Sequence, residues 1–91
     1  MWVRIDEIGF LPGRAEGVVD QVRNTAVTRH DGEGFRGFRL LVDQPHGRAL
    51  DVSYWDSAEG AEHGGAGPDA DQAIATDLMR SCIYEMRIDS V

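Results

Sequence analysis

Ninety-one residues are enough for one domain spanning 1–91 and no more. The formal net charge of −7, carried with nine arginines and no lysine, opposes binding to nucleic acid or to an anionic membrane surface, and it removes lysine Schiff-base and P-loop chemistry. Cys82 is the only cysteine, so no disulfide forms within the chain and nothing argues for secretion.

The first expected element is a strand from Met1 to Ile8, with Trp2, Arg4, Asp6 and Ile8 on one face and Val3, Ile5 and Glu7 on the other. Phe10-Leu11-Pro12-Gly13 breaks it. A helix is expected from about Arg14 to Arg29, its stripe formed by Ala15, Val18, Val19, Val22 and Ala26 at spacings of three and four. Arg29 and His30 suit its C-terminal end, and Gly32 is a natural stop. From Gly34 to Trp55, Phe38, Leu40 and Val42 and then Leu50, Val52 and Tyr54 alternate with other residues, around Asp43-Gln44-Pro45-His46-Gly47. That is a pair of antiparallel strands joined by a tight turn.

Ser57 is placed to cap a short helical turn, Ala58 to His63, which Gly64, Gly65, Gly67 and Pro68 interrupt. Asp69, followed by Gln72, resembles a capping box, and a second helical piece is expected over 69–79 with Ala70, Ala73, Ile74 and Leu78 inward. The last strand is expected over Ser81–Asp89, with Cys82, Tyr84, Met86 and Ile88 on one face. Cys82 then reads as a small buried hydrophobe rather than a nucleophile.

The order is βαββαβ, an α+β class whose simplest arrangement is a ferredoxin-like antiparallel sheet with both helices on one face. The more apolar strand faces are expected beneath the helices. The opposite faces carry Trp2, Ile8, Leu41, Trp55 and Ile83 among Arg4, Arg39, Asp51, Glu85 and Arg87. The reasoning holds if the two are exchanged: either face, left bare, is a large apolar patch, and a chain this short is marginal alone. A homodimer paired through the sheet follows. No apolar run reaches the roughly 18 residues that cross a bilayer, and Met1-Trp2-Val3-Arg4-Ile5 lacks the features of a signal peptide. The expected location is cytoplasmic, with no membrane and no nucleic-acid partner.

Gly32-Glu33-Gly34-Phe35-Arg36-Gly37 matches G-x-G-x-x-G, but it follows a helix and precedes a strand, the reverse of a dinucleotide site. His63-Gly64-Gly65-Ala66-Gly67 resembles an esterase oxyanion loop, yet no G-x-S-x-G elbow accompanies it. His30, His46 and His63 have no ligand spacing among them. The sequence therefore points to no metal site and no resident cofactor. Tyr54, Trp55 and Arg39 are the ligand-binding candidates, the aromatics as stacking surfaces with a polar handle. Asp51 shares the face of Trp55 and is the first candidate base, with His63 the second; a salt bridge from Asp51 to Arg39 or Arg87 is the plainer alternative.

The run Gly34-Phe35-Arg36-Gly37-Phe38-Arg39-Leu40-Leu41-Val42-Asp43, then Gly47-Arg48-Ala49-Leu50, then Tyr54-Trp55-Asp56-Ser57, resembles the antibiotic-biosynthesis-monooxygenase-like family of the dimeric α/β-barrel superfamily. The likeness spans the whole chain in element order. It implies a ferredoxin-like protomer, sheet-mediated dimers and a pocket between sheet and helices. The family includes cofactor-independent monooxygenases acting on polycyclic aromatics, haem-degrading enzymes and many proteins with no assigned activity. Trp55 matches the family tryptophan at the end of the third strand. Anthrone-oxidising members carry an asparagine earlier on that strand, in the region where this chain has Asp51. Haem-degrading members hold iron through a histidine on the following helix, for which the nearest residue here is His63. Three functions follow in order: a small-molecule-binding dimer acting as a cofactor-independent monooxygenase on an aromatic or phenolic substrate; a non-catalytic accessory or regulatory dimer; and a haem-binding or haem-degrading protein.

Overall fold

A computed structural model describes residues 1–30, 34–63 and 76–90, with side-chain surroundings for all of these except 25–30 and 76–79. The elements are β1 (Trp2–Phe10), α1 (Ala15–His30), β2 (Phe35–Asp43), β3 (Arg48–Trp55), α2 (Ala58–His63) and β4 (Thr76–Glu85). The strands form one sheet in the order β2-β3-β1-β4, and every neighbouring pair is antiparallel. This is a ferredoxin-like α+β fold, and the sheet stays open within one chain.

Turn chemistry sets the boundaries. Gly13 takes a positive φ after Pro12, and the Arg14 amide donates to the Leu11 carbonyl at 3.0 Å as α1 begins. At the hairpin, Gly47 has φ +64, and a Cβ there would lie 2.5 Å from the Phe10 carbonyl oxygen. Only glycine fits. The Phe10 amide donates to the Gly47 carbonyl at 2.8 Å, so the hairpin is tied to the end of β1.

Two expectations are corrected at the C-terminal end. Residues 76–79 belong to β4 rather than to a helix over 69–79; the earlier part of that expected helix, 69–75, lies outside the described residues. The strand also ends at Glu85 instead of running to Asp89. The length of β1 explains both. Its first residue, Trp2, pairs with Glu85 and its last, Phe10, pairs with Thr76. Only the Met86 amide, donating to Met1 at 2.9 Å, continues the ladder, and Ile88 is exposed. Over 76–79, sheet pairing overrides the helical spacing expected of Leu78. A register shift opposite Glu7 and Ile8 absorbs the one residue between Leu78 and Arg80.

The faces are also settled. Asp6, Ile8 and Phe10 of β1 and Ala49, Asp51, Ser53 and Trp55 of β3 are buried on the helix-covered side. For these two central strands the mixed face, rather than the more apolar one, lies under the helices. It holds the bulkiest groups, Trp55 and Ile8, which need cover most, and its charges find partners there. Ile8, Phe10, Ala15, Val18, Val22 and Ala49 form the apolar core, with Phe38 and Leu40 packed against it. The helix-free side keeps Leu41, Leu50 and Tyr84 exposed and Val3, Ile5, Val52, Tyr54 and Cys82 half-buried. Cys82 is therefore not the fully buried hydrophobe expected.

Candidate functional site

At the Trp55 end of the sheet, the helix-covered side turns from apolar to polar. Asp6 on β1 and Asp51 on β3 are partners in the antiparallel register, which sets their Cβ atoms about 5 Å apart. Each is only 1% exposed. Two carboxylates so placed are costly unless compensated, and Asp6 is visibly compensated. Arg4, two residues back on the same face, donates Nε to both Asp6 oxygens at 3.0 and 3.2 Å. Ser81, the β4 partner of Asp6, donates its hydroxyl to Oδ1 at 2.6 Å.

Arg4 also fixes α2. Ser57 caps that helix by accepting the Gly60 amide at 3.0 Å. At the other end, Arg4 Nη1 donates to the carbonyls of Ala61 and Glu62, both at 2.9 Å. A cation there satisfies orphan carbonyls and suits the dipole. The chain Ser81–Asp6–Arg4–α2 thus ties β4, β1 and the short helix together around the buried Asp6, with Ala61 fully enclosed.

Trp55 closes the cluster. It is 1% exposed and donates Nε1 to Ser53 Oγ at 2.9 Å. Phe35 of β2 meets it edge-on, ring centroids 5.1 Å apart, the arrangement aromatic pairs prefer. On α1, Gln21 is 7% exposed, and among the described residues neither its Nε2 nor its Oε1 has a hydrogen-bond partner.

The structure brings together some of the candidate residues and separates others. Asp51 and Trp55 share the helix-covered side. Tyr54 and Arg39 lie on the opposite side, where the Arg39 guanidinium carbon stands 5.9 Å from the Tyr54 ring centroid in cation–π range. That placement takes Arg39 out of reach of Asp51. His63 ends α2 and is exposed. His46 sits at the hairpin beside Asp43, at 2.8 Å. Among the described residues no group of three His, Cys, Asp or Glu side chains is gathered to hold a metal ion, and no helix is long and apolar enough to cross a membrane. Asp6 and Gln21 were not singled out from the sequence. Both were legible in principle: Asp6 alternates in phase with Ile8, and Gln21 follows Val18 by three on the buried stripe.

The helix-free side carries shallow hollows. One of about 350 Å3 lies near the hairpin between Glu7, Leu41, Arg48 and Leu50. Another of about 100 Å3 lies between Ile5, Leu50, Arg80, Cys82 and Tyr84, where Arg80 Nε donates to Cys82 Sγ at 3.2 Å.

This arrangement of strands and helices is shared with solved structures. The haem degrader MhuD of Mycobacterium tuberculosis, determined with two haems bound in its active site, superposes with a TM-score of 0.77 at 23% identity, covering 100% of both chains. The chain has the antibiotic-biosynthesis-monooxygenase-like fold. A provisionally named antibiotic biosynthesis monooxygenase of Deinococcus radiodurans matches with a TM-score of 0.73 at 16% identity, over 100% of this chain and 97% of that one. A further antibiotic biosynthesis monooxygenase matches with a TM-score of 0.66 at 15% identity, over 99% of this chain and all of the other. No protein-family profile matches the sequence, and no curated protein matches it. At these identities the likeness establishes the monooxygenase-like fold and leaves substrate and chemistry to the residues.

Proposed function

We propose that this protein is a cofactor-independent monooxygenase, a cytoplasmic homodimer that binds an aromatic or phenolic small molecule between sheet and helices. One observation carries the reading: Asp51 is buried on the same face as Trp55, beside an Asp6 whose charge Arg4 already engages. A carboxylate held out of water next to an aromatic wall is equipped to take a proton from a weakly acidic carbon or phenol. Trp55 supplies the stacking edge for a planar ring.

The chemistry then balances with dioxygen as the only oxidant. Asp51 takes a proton from a substrate methylene, and the carbanion passes one electron to dioxygen. The substrate radical and superoxide combine into a peroxide, which regains the proton from Asp51. Loss of the second hydrogen from that carbon, with cleavage of the O–O bond, gives a carbonyl and water. The protein's part is to hold the ring, exclude bulk water and move the proton.

The dimer rests on the helix-free side. A standard interface covers about 800 Å2 per partner; at roughly 25 cal/mol per Å2 its apolar half contributes on the order of 10–20 kcal/mol over both copies, against an association cost of about 4–15 kcal/mol. Leu41, Leu50, Val52, Tyr54 and Tyr84 supply such a face. The half-buried Cys82 suits a reducing compartment.

Haem, the ligand of the MhuD structure, fits the described residues poorly. Among the described residues, the helix-covered side offers two carboxylates, an arginine already bound to one of them and the engaged hydroxyls of Ser53 and Ser81, and His63 is exposed at the end of α2.

Oxygen uptake with a tricyclic anthrone, in buffer containing a metal chelator, tests the reading. Wild-type protein should turn over, and Asp51→Asn should lower kcat by about 10²–10⁴-fold, the usual contribution of a positioned base. Undiminished turnover in Asp51→Asn removes the assignment. Tight anthrone binding without oxygen uptake leaves the non-catalytic dimer.

A further inference from the structure

A planar ring cannot stack on Trp55 as it stands. The side chain is 1% exposed, so a ligand reaches it only after a neighbour moves. Phe35 is such a neighbour. It pairs with Trp55 across β2 and β3, and its ring meets the indole edge-on with centroids 5.1 Å apart.

An irregularity in β2 puts Phe35 there. Phe38 and Leu40 pack against the core, and counting back from them by twos brings Arg36, not Phe35, to the covered side. The register shift reverses this. Phe35 pairs with Trp55 and Gly37 with Tyr54, so Arg36 is the extra residue of a bulge. A bulge bends its strand, interrupts the ladder and re-aims side chains. Phe35 is accordingly half-buried and Arg36 exposed. A glycine at positive φ flanks the pair on each side, Gly34 at +79 and Gly37 at +135. Glycine moves between backbone regions at little steric cost, and a hinge is a few residues at the end of an element that absorb such a change.

Asp56 fastens this segment from just beyond β3. Arg36 Nε donates to Asp56 Oδ1 at 2.7 Å, and the Asp56 amide donates to the Gly34 carbonyl at 2.9 Å. The ion pair is open to solvent, its side chains 58% and 46% exposed, so water and salt weaken it. The short helix α2 is held differently, by the Ser57 cap and by two donations from the shielded Arg4. Of these two covers, the start of β2 is the one with hinges and an exposed fastening.

We infer that residues 34–37 are a gate over Trp55, latched by the Arg36–Asp56 pair, and that opening it lifts Phe35 so that a planar ring takes its place against the indole. The occupant rests on the ligand-binding reading above; the gate is read from the free protein. The structure shows the closed state. A ligand that enters only the open state has its affinity reduced by the open fraction, so a weaker latch should bind it more tightly.

Hydrogen exchange of the intact, ligand-free protein, followed by NMR, tests the gate. Arg36→Met removes the latch and leaves the Asp56 amide and the Trp55 indole unaltered. Both N–H groups should exchange about two- to fivefold faster, the scale set by an exposed ion pair. The Phe10 amide, bonded to Gly47 at the other end of the sheet, should keep its wild-type rate. An unchanged indole rate, or a Phe10 amide that quickens equally, overturns the gate. Titration with anthrone under nitrogen then tests its use: Arg36→Met should lower Kd by about the same two- to fivefold. Equal or weaker binding by the variant overturns the gate as the ligand's entrance. Anthrone that binds neither protein, with the exchange pattern as expected, overturns the ligand-binding reading alone.

Discussion

Replacing Arg4 with methionine should remove a large part of this chain's stability. The Arg4 and Asp6 side chains are 14% and 2% exposed, so the pair is shielded from water and from salt, unlike a surface ion pair worth well under 1 kcal/mol. Methionine keeps the apolar stem and deletes the charge, leaving Asp6 buried opposite Asp51 with, among the described residues, Ser81 donating to it. Breaking a buried pair from one side costs about 3–5 kcal/mol, and the Ala61 and Glu62 carbonyls lose their donor as well. A domain of this size has roughly 5–14 kcal/mol in all. Urea melts at a fixed protomer concentration, followed by tryptophan fluorescence, read the loss directly. The double variant Arg4→Met with Asp6→Asn should recover about 2 kcal/mol, because the orphaned charge is gone. A loss below about 1 kcal/mol for Arg4→Met, or strict additivity in the double variant, would refute the claim that this arginine neutralises a buried acid and pins α2.

Other consequences are simpler to measure. By light scattering the wild type should have the mass of a dimer and Leu50→Glu, on the helix-free side, that of a folded monomer; an unchanged mass would mean that face is not the interface. Gly47→Ala should lower stability by about 1–3 kcal/mol, because φ is +64 and the new Cβ meets the Phe10 carbonyl; a melting temperature within error of wild type would contradict that contact. The Arg36 guanidinium, 2.7 Å from Asp56, holds the Asp56 carboxyl below its usual value, chiefly through the hydrogen bond. The bond therefore adds stability above the ordinary carboxylate range and loses it as pH falls through the depressed value. Asp56→Asn should flatten that acidic part of the stability curve, by a small amount for so exposed a pair.

The legible part of the fold was the part with local signals. Alternation around Pro45 and Gly47 marked the hairpin, the spacing of Ala15, Val18 and Val22 marked α1, and Ser57 marked the start of α2. The position of β4 was not legible, because the helical spacing of Ala73, Ile74 and Leu78 competes with a non-local pairing dictated by β1. At the site, the shared face of Asp51 and Trp55 followed from counting by twos. The opposite sides taken by Tyr54 and Arg39 relative to Trp55 follow from the same arithmetic once the covered face is known. What the sequence could not show was that the mixed face is the covered one, since Arg4 and Asp6 look like surface residues until Ser81 and the end of α2 are brought to them from 55 or more positions away. Gln21 could be placed on the buried stripe by its spacing from Val18, but that its amide finds no partner among the described residues could not be read from spacing.

The most direct test is a product analysis: anthrone oxidised under heavy-isotope dioxygen by purified protein in chelator-treated buffer, with no haem or metal added. The account predicts a quinone carrying one heavy oxygen atom, the other appearing in water, and loss of that product in Asp51→Asn. Product lacking the label, or formed only when haem or a metal is supplied, contradicts it.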